Sequence, residues 1–371
     1  MIPEDHKPTK RQGKIKPREE GIADLYIQSD TDESRPPLTW YRFGVWLVVI
    51  TLVGLAVVVF NNNSNDLAID REDTVAEGGE QIPRALTEVF DTDFSQVSVD
   101  PTLLLSGGPG KNGIPALVDP EFESIDQTSI AETTRGILIE RNGETKFYPY
   151  NILVWHEIVN DKVGGDDLAI TFCPLCGSAI VYNRTIDGVV HEFRVSGLLY
   201  ESNMVMYDTK TESLFSQSLG EGIAGTYNGK QLQVEKFQLM ELFEVKQQYP
   251  ETQIMTTNTG HSRNYAFYPY GNYDFNEDLY YPVQYKDDRY SGKELFYIVP
   301  LAEQSVAIRI GELGEDGQIT DKQTGLKITK KGSSVDVTTA DGADAPGYFE
   351  MWFSWATHHQ EDGRVVDPSK S

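Results

Sequence analysis

The only two cysteines of this 371-residue chain stand together as Cys173-Pro174-Leu175-Cys176, followed by Gly177. Chance does not put a chain's only thiols at this spacing, so the pair shares a task. A C-P-x-C-G run between two strands suits a metal knuckle, in which a tight turn aims both sulfurs at one point and glycine relieves the crowded backbone. Two thiolates are half of a tetrahedral zinc shell, so zinc would need further ligands from His, Asp, Glu or water. Soft sulfur donors equally suit Cu(I). His156 is the best third ligand, with His191 the other nearby imidazole. Thiol–disulfide exchange is the second reading. Ser178–Asn183 reads as a strand, which argues against the thioredoxin arrangement but not against redox chemistry. An inert disulfide staple is the third, although so short a loop restrains little chain entropy.

Other chemistries fit less well. Asn151–Asp161 (NILVWHEIVND) sets His156-Glu157 into an apolar, helix-like run, where a histidine is ordinarily a core residue. It is not H-E-x-x-H, because position 160 is Asn, so a zinc-protease helix is excluded. His358-His359 beside Trp352 and Trp355 reads as packing or a cap. Lys111 lies in a Gly/Pro-dense loop (LSGGPGKNGIP) without the G-K-[ST] ending of a phosphate loop. No Ser-His-Asp order, paired carboxylates or cofactor fingerprint names a reaction. Nine tyrosines within 265–297 suit an aromatic platform or, more ordinarily, rings packed on a sheet with wet hydroxyls.

The elements that must position these residues are mainly strands. Short β-branched or aromatic runs occur at Gly136–Glu140, Lys146–Tyr148, Leu168–Phe172, Ala179–Asn183, Val189–Val195 and Met204–Tyr207, with Asn142-Gly143 and Asp187-Gly188 as hairpin turns. Later strands are expected at Leu295–Val299, Val306–Ile310, Leu326–Thr329, Val335–Thr338 and Phe349–Trp355. Helical spacing marks Ile152–Val159 and Leu239–Tyr249. The expected fold is mainly β (α+β), an antiparallel β-rich domain with a few helices. A weak echo between Arg135–Leu153 and Glu294–Leu313 would suit two related subdomains.

Phe43–Phe60 (FGVWLVVITLVGLAVVVF) carries no charge, and as a helix it covers roughly 27 Å, enough for a bilayer core. Trp40, Tyr41 and Trp46 suit an aromatic belt, and Arg35 and Arg42 flank the N-terminal side. The expected organisation is a largely disordered cytoplasmic tail (1–40), a transmembrane helix (41–60), a linker (61–95) and an extracytoplasmic β-rich domain (96–371). A cleaved signal peptide fits poorly, since the basic region is too long and no A-x-A-like site follows. The net charge of −25 lies beyond the anchor and excludes nucleic acid as a partner; the membrane is the expected one.

LSGGPGKNGIPALVDP, WHEIVND, ITFCPLCGSAIVYNR, VSGLLYESNMVMYD and SLFSQSLGEGIAG together resemble the bacterial and archaeal family called domain of unknown function 3179, from about Asp93 to Val366. The resemblance implies an extracytoplasmic or membrane-associated domain and supplies no reaction. It nominates Lys111, His156, Glu157, Asn160, Cys173, Cys176, Ser178, Ser196, Asn203, Asp208, Ser216 and Gln217. The family loop reads K-D-G-I-P where this chain has Lys111-Asn112-Gly113-Ile114-Pro115. The leading expectation is a zinc or copper site on Cys173, Cys176 and His156, with Glu157, Asn160, Ser178, Asn203, Asp208, Gln217 and Lys111 around it. A thiol–disulfide oxidoreductase and a non-catalytic ligand-binding module are the alternatives.

Overall fold

Asn142-Gly143 takes φ of 49° and 83°, the left-handed pair that a two-residue hairpin turn needs. It joins β1 (Arg135–Arg141) to β2 (Glu144–Pro149) in a computed structural model that describes residues 74–77 and 80–370. Pro149 then starts helix α1 (Tyr150–His156), where its fixed φ suits the entry and its missing N–H costs nothing. Glu157, at φ 59°, ends that helix, and a meander of β3 (Ile158–Val163), β4 (Asp166–Cys173) and β5 (Ser178–Asn183) follows. The expected helix Ile152–Val159 is therefore shorter at its end, because the left-handed residue turns the chain into a strand.

Residues 184–237 add a further sheet, whose main strands are β6 (Phe193–Tyr200), β7 (Asn203–Asp208), β8 (Leu214–Ser216) and β9 (Glu221–Ala224). The expected strand Val189–Val195 is broken, since His191 turns inward to Asp208 between Val189–Val190 and β6. Next come β10 (Gln238–Glu241), α2 (Leu242–Gln248) and β11 (Gln253–Met255). The apolar spacing from Leu239 is thus part strand; a capping box between Glu241 and Glu244 starts the helix only at Leu242.

The C-terminal part holds β12 (Leu295–Pro300), β13 (Ser305–Ile308), β14 (Gln318–Thr320), β15 (Lys327–Lys331), β16 (Ser334–Thr338), β17 (Tyr348–Met351), α3 (Trp352–His358) and β18 (Gly363–Val366). Phe349–Trp355 is strand only as far as Met351. Both halves of that run are buried, so neither shows the alternation or stripe that separates strand from helix.

Strands occupy 38% of the structure and helices 13%, so the fold is β-rich and mainly antiparallel as expected, with parallel pairs in two of its sheets. β2 pairs parallel with β11, β13 with β18, and Leu117–Val118 with β3. The sheet order β10-β1-β2-β11 has the same strand senses as β17-β12-β13-β18. In each unit a hairpin leads into a helical turn (α1, or the 3-10 turn Ile310–Glu312). A three-stranded meander follows, then a strand, a seven-residue helix and a parallel strand.

The two copies exchange meanders. β5 of the first pairs with β17 of the second through Ala179 and Phe349. β16 of the second lies along β10 of the first, where the Gln238 side chain accepts from Val335 N (3.0 Å) and donates to Asp336 (3.1 Å). One apolar core, including Phe172, Ile180, Phe349 and Trp352, runs through both copies. A smaller core around Phe94, Leu104 and Val205 seats the segment before the first copy.

The candidate anchor Phe43–Phe60 lies outside the described residues, as do the tail and much of the linker. No described helix is long and apolar enough to cross a membrane.

Candidate functional site at the cysteine loop

Cys173 closes β4 and faces Ser178 across the hairpin, leaving Pro174–Gly177 as a four-residue connection. Gly177 takes φ 56°, which a side chain would resist. Two hydrogen bonds clamp the loop: Met351 N donates to Cys176 O (2.9 Å), and Tyr273 Oη donates to Leu175 O (2.8 Å). Both thiols are free and buried, at 1% and 0% exposure, and the two side chains approach to 3.0 Å.

A closed polar network surrounds Cys176. Asn203 Nδ2 donates to Cys176 Sγ at 2.9 Å and to Gln217 Oε1 at 2.9 Å. Ser178 Oγ lies 3.1 Å from the same sulfur and donates to Gln217 Oε1 at 2.6 Å. Gln217 Nε2 donates to Thr171 Oγ1 (3.0 Å), whose hydroxyl donates to Ile180 O (2.8 Å). Cys173 differs: burial pushes its thiol well above the usual value, the bond to Cys176 and the nearby charges of Cys176 and Glu157 push the same way, and the Met204 amide opposes them. Cys173 therefore keeps its proton, while Asn203 and Ser178 hold Cys176 by hydrogen bonds.

Glu157 stands next to this pair because its carbonyl accepts from Phe172 N (2.8 Å), one residue before Cys173. Burial raises its carboxyl to about 8, against the opposing hydrogen bond from Tyr270 Oη (3.3 Å), so the acid is largely protonated at neutral pH. It lines a mostly apolar cavity of about 390 Å³, together with Leu175 of the cysteine loop, Val195 and Leu199 of β6, and Tyr270 and Tyr281. Residues 256–294, which join the two copies, cover this region as a long loop whose only helical turn is Tyr273–Phe275. Long structureless connections in compact domains are commonly functional. The tyrosine hydroxyls fasten it: Tyr265 to His156, Tyr270 to Glu157, Tyr273 to Leu175 and Tyr281 to Gly107 O.

The structure gathers Cys173, Cys176, Ser178, Asn203, Gln217 and Glu157, and it sends the other nominated residues elsewhere. His156 Nδ1 donates to Pro115 O (2.7 Å), so in the neutral ring Nε2 accepts from Tyr265 Oη (2.7 Å) and has no lone pair left for a metal. Burial, with the His261 and Arg263 charges adding to it, lowers that ring to about 4. Asn160 bonds the Phe193 backbone in both directions at 2.8 Å. Asp208 is spent on His191 (3.0 Å), whose other nitrogen faces Tyr227. Lys111 pairs with Glu212 (2.6 Å) over the Phe90 and Tyr207 rings. Ser196 donates to Val205 O, and Ser216 accepts from Leu219 N. His358 bonds Ser354 O and His359 bonds Asp362. Among the described residues no group of three or more His, Cys, Asp and Glu is placed to hold a metal ion.

Sequence reasoning passed over Thr171, Ser218 and Glu350. Ser218 N donates to Asn203 Oδ1 (3.0 Å), and its hydroxyl donates to Glu350 Oε1 (2.7 Å), which also accepts from Ser354 (2.6 Å). Burial raises the Glu350 carboxyl to about 7. A glutamate in the apolar run Tyr348–Met351 was the one available signal, since a charge there must be neutralised or paired.

No curated protein and no solved structure matches the chain. Residues 111–341, more than half of its length, match the family described as Protein of unknown function (DUF3179). That span holds the cysteine loop, the network around Cys176, Glu157 and the tyrosine loop, and on it the chain belongs to this family.

Proposed function

We propose that Cys173 and Cys176 are a redox-active dithiol that cycles to a disulfide and back. The observation that carries this reading is the approach of the chain's only two thiols to 3.0 Å, with an amide N–H fixed on one of them. Closing the S–S bond releases two electrons and two protons, so the reaction partner must accept both. Glu157, protonated at neutral pH beside Cys173, is the group to pass a proton between thiol and partner. The charge pattern around Phe43–Phe60 supports an extracytoplasmic setting, where such a pair meets an oxidising pool.

The donor set does not suit a four-ligand zinc centre, because His156 is committed and among the described residues no acidic group completes the shell. Two buried soft sulfurs this close together would still suit a two-coordinate Cu(I), the second reading. Equilibrating the full chain across a dithiothreitol redox series and counting alkylated thiols by mass decides. The redox reading expects two thiols to be lost and regained together, and none to be lost in Cys176→Ser. Two thiols that persist at every poise, or one copper retained per chain and lost in Cys173→Ser, would count against it.

A further inference from the structure

We infer that the cavity beside Glu157 admits the electron acceptor of the cysteine pair, and that this acceptor is a small neutral quinone. The inference rests on the redox reading above and names its substrate class. Cys173 and Cys176 are almost wholly buried, and their loop is held by Met351 and Tyr273, so another protein's disulfide has no approach to them. The cavity does adjoin them: Leu175, between the two cysteines, forms part of its wall, and Glu157 lies across from Phe172. Its other walls are apolar or aromatic, from Ile114, Val195, Leu199 and Tyr281, so a charged oxidant such as glutathione disulfide would lose its hydration without compensation. Its volume of about 390 Å³ falls within the usual range for small-molecule sites. A buried neutral carboxyl donates a hydrogen bond, which a carbonyl oxygen accepts. An apolar ring with carbonyl oxygens that takes up two electrons and two protons meets all of these conditions.

The reaction balances without another reagent. One sulfur adds to a ring carbon as Glu157 gives its proton to the carbonyl oxygen, and that thiol's own proton restores Glu157. The second sulfur then attacks the first. The S–S bond forms, the S–C bond breaks, and the electron pair leaves with the ring, which takes the second thiol's proton and departs as the hydroquinone. The ring must reach past Leu175 for this to occur.

The full chain, reduced and freed of reductant under anaerobic conditions, is mixed with menadione. The expected result is one menadiol and one disulfide per chain, read as absorbance change and a loss of two mass units. Glutathione disulfide should oxidise the pair at least tenfold more slowly than menadione. Ile114→Trp, or the milder Ile114→Phe, narrows the cavity and should slow the menadione reaction at least tenfold. Neither should alter the equilibrium with the cyclic disulfide of dithiothreitol. Cycling with dithiothreitol but not with menadione overturns the quinone inference and leaves the redox reading standing; failure to cycle with either ends both. A lasting quinone adduct without a disulfide, or unchanged menadione rates in both variants, also overturns the inference.

Discussion

The first copy of the repeated unit connects β4 to β5 through four residues, Pro174–Gly177, whereas the second connects β15 to β16 through two, Gly332-Ser333. The first ends its helical turn on Glu157, and the second ends the matching turn on the buried Leu313. The first carries an added sheet between its meander and β10, which supplies Asn203 and Gln217; the second passes from β16 to β17 with no strand between. The shared strands and helices therefore make a scaffold. The thiols, the acid and the network are additions to one copy, and a functional site of this kind does not follow from the fold itself.

Each expected effect below sets an alteration in the first copy against its counterpart in the second. Replacing Pro174–Gly177 by Gly-Ser, in imitation of the second copy, removes Cys176 and should abolish reversible thiol loss entirely. Ser333→Cys in the second copy should not create a second cycling pair, because it has no partner thiol; alkylation followed by mass analysis checks both.

Glu157→Gln comes next. The folded carboxyl keeps its proton to about 8 while the unfolded chain releases it near 4.5, so wild-type stability falls as pH rises between those values and levels off above 8. The variant lacks this fall and should gain on the order of 5 kcal/mol relative to wild type between pH 4.5 and 8, measured by urea unfolding. Leu313→Gln should show no such pH-dependent difference from wild type. A wild-type slope that persists unchanged in Glu157→Gln would remove the acid from the proposal.

Gln217→Leu strands the Ser178, Thr171 and Asn203 side chains in a dry interior and should cost about 2–3 kcal/mol. Gln238→Leu, on β10 where the meander of the second copy packs against it, is half-buried and should cost less, about 1 kcal/mol. Gly332→Ala, in the hairpin of the second copy, should cost about 1 kcal/mol, since its φ of 58° disfavours a side chain and the added carbon would meet Glu244. Equal costs for Gln217→Leu and Gln238→Leu would erase the contrast between the copies.

Much of this was legible in the chain itself, for identifiable reasons. Asn142-Gly143 and Asp187-Gly188 announce hairpins because their backbone preferences are local. Cys173 and Cys176 stand out because no other cysteine exists. The parallel pairings β2 with β11 and β13 with β18 join segments too far apart to be seen in sequence. His156 misled because nearness along the chain to a cysteine pair says nothing of where its ring points, and Pro115 and Tyr265 hold it away. Glu350 could not be placed, since its partner Ser218 is supplied from another sheet. Tyr270 and Tyr273 were read within an undivided run, and only the folded loop separates rings that fasten the site from rings that do not.

The exchange of meanders between the copies has a consequence for the order in which the chain is made. The cysteine hairpin takes its neighbour β17 and its clamp at Met351 from residues made well over a hundred positions after it. Until they arrive, β5 beside the two cysteines has no neighbour on that edge. The edge of β5 thus closes only when β17 of the second copy has been made and has folded against it.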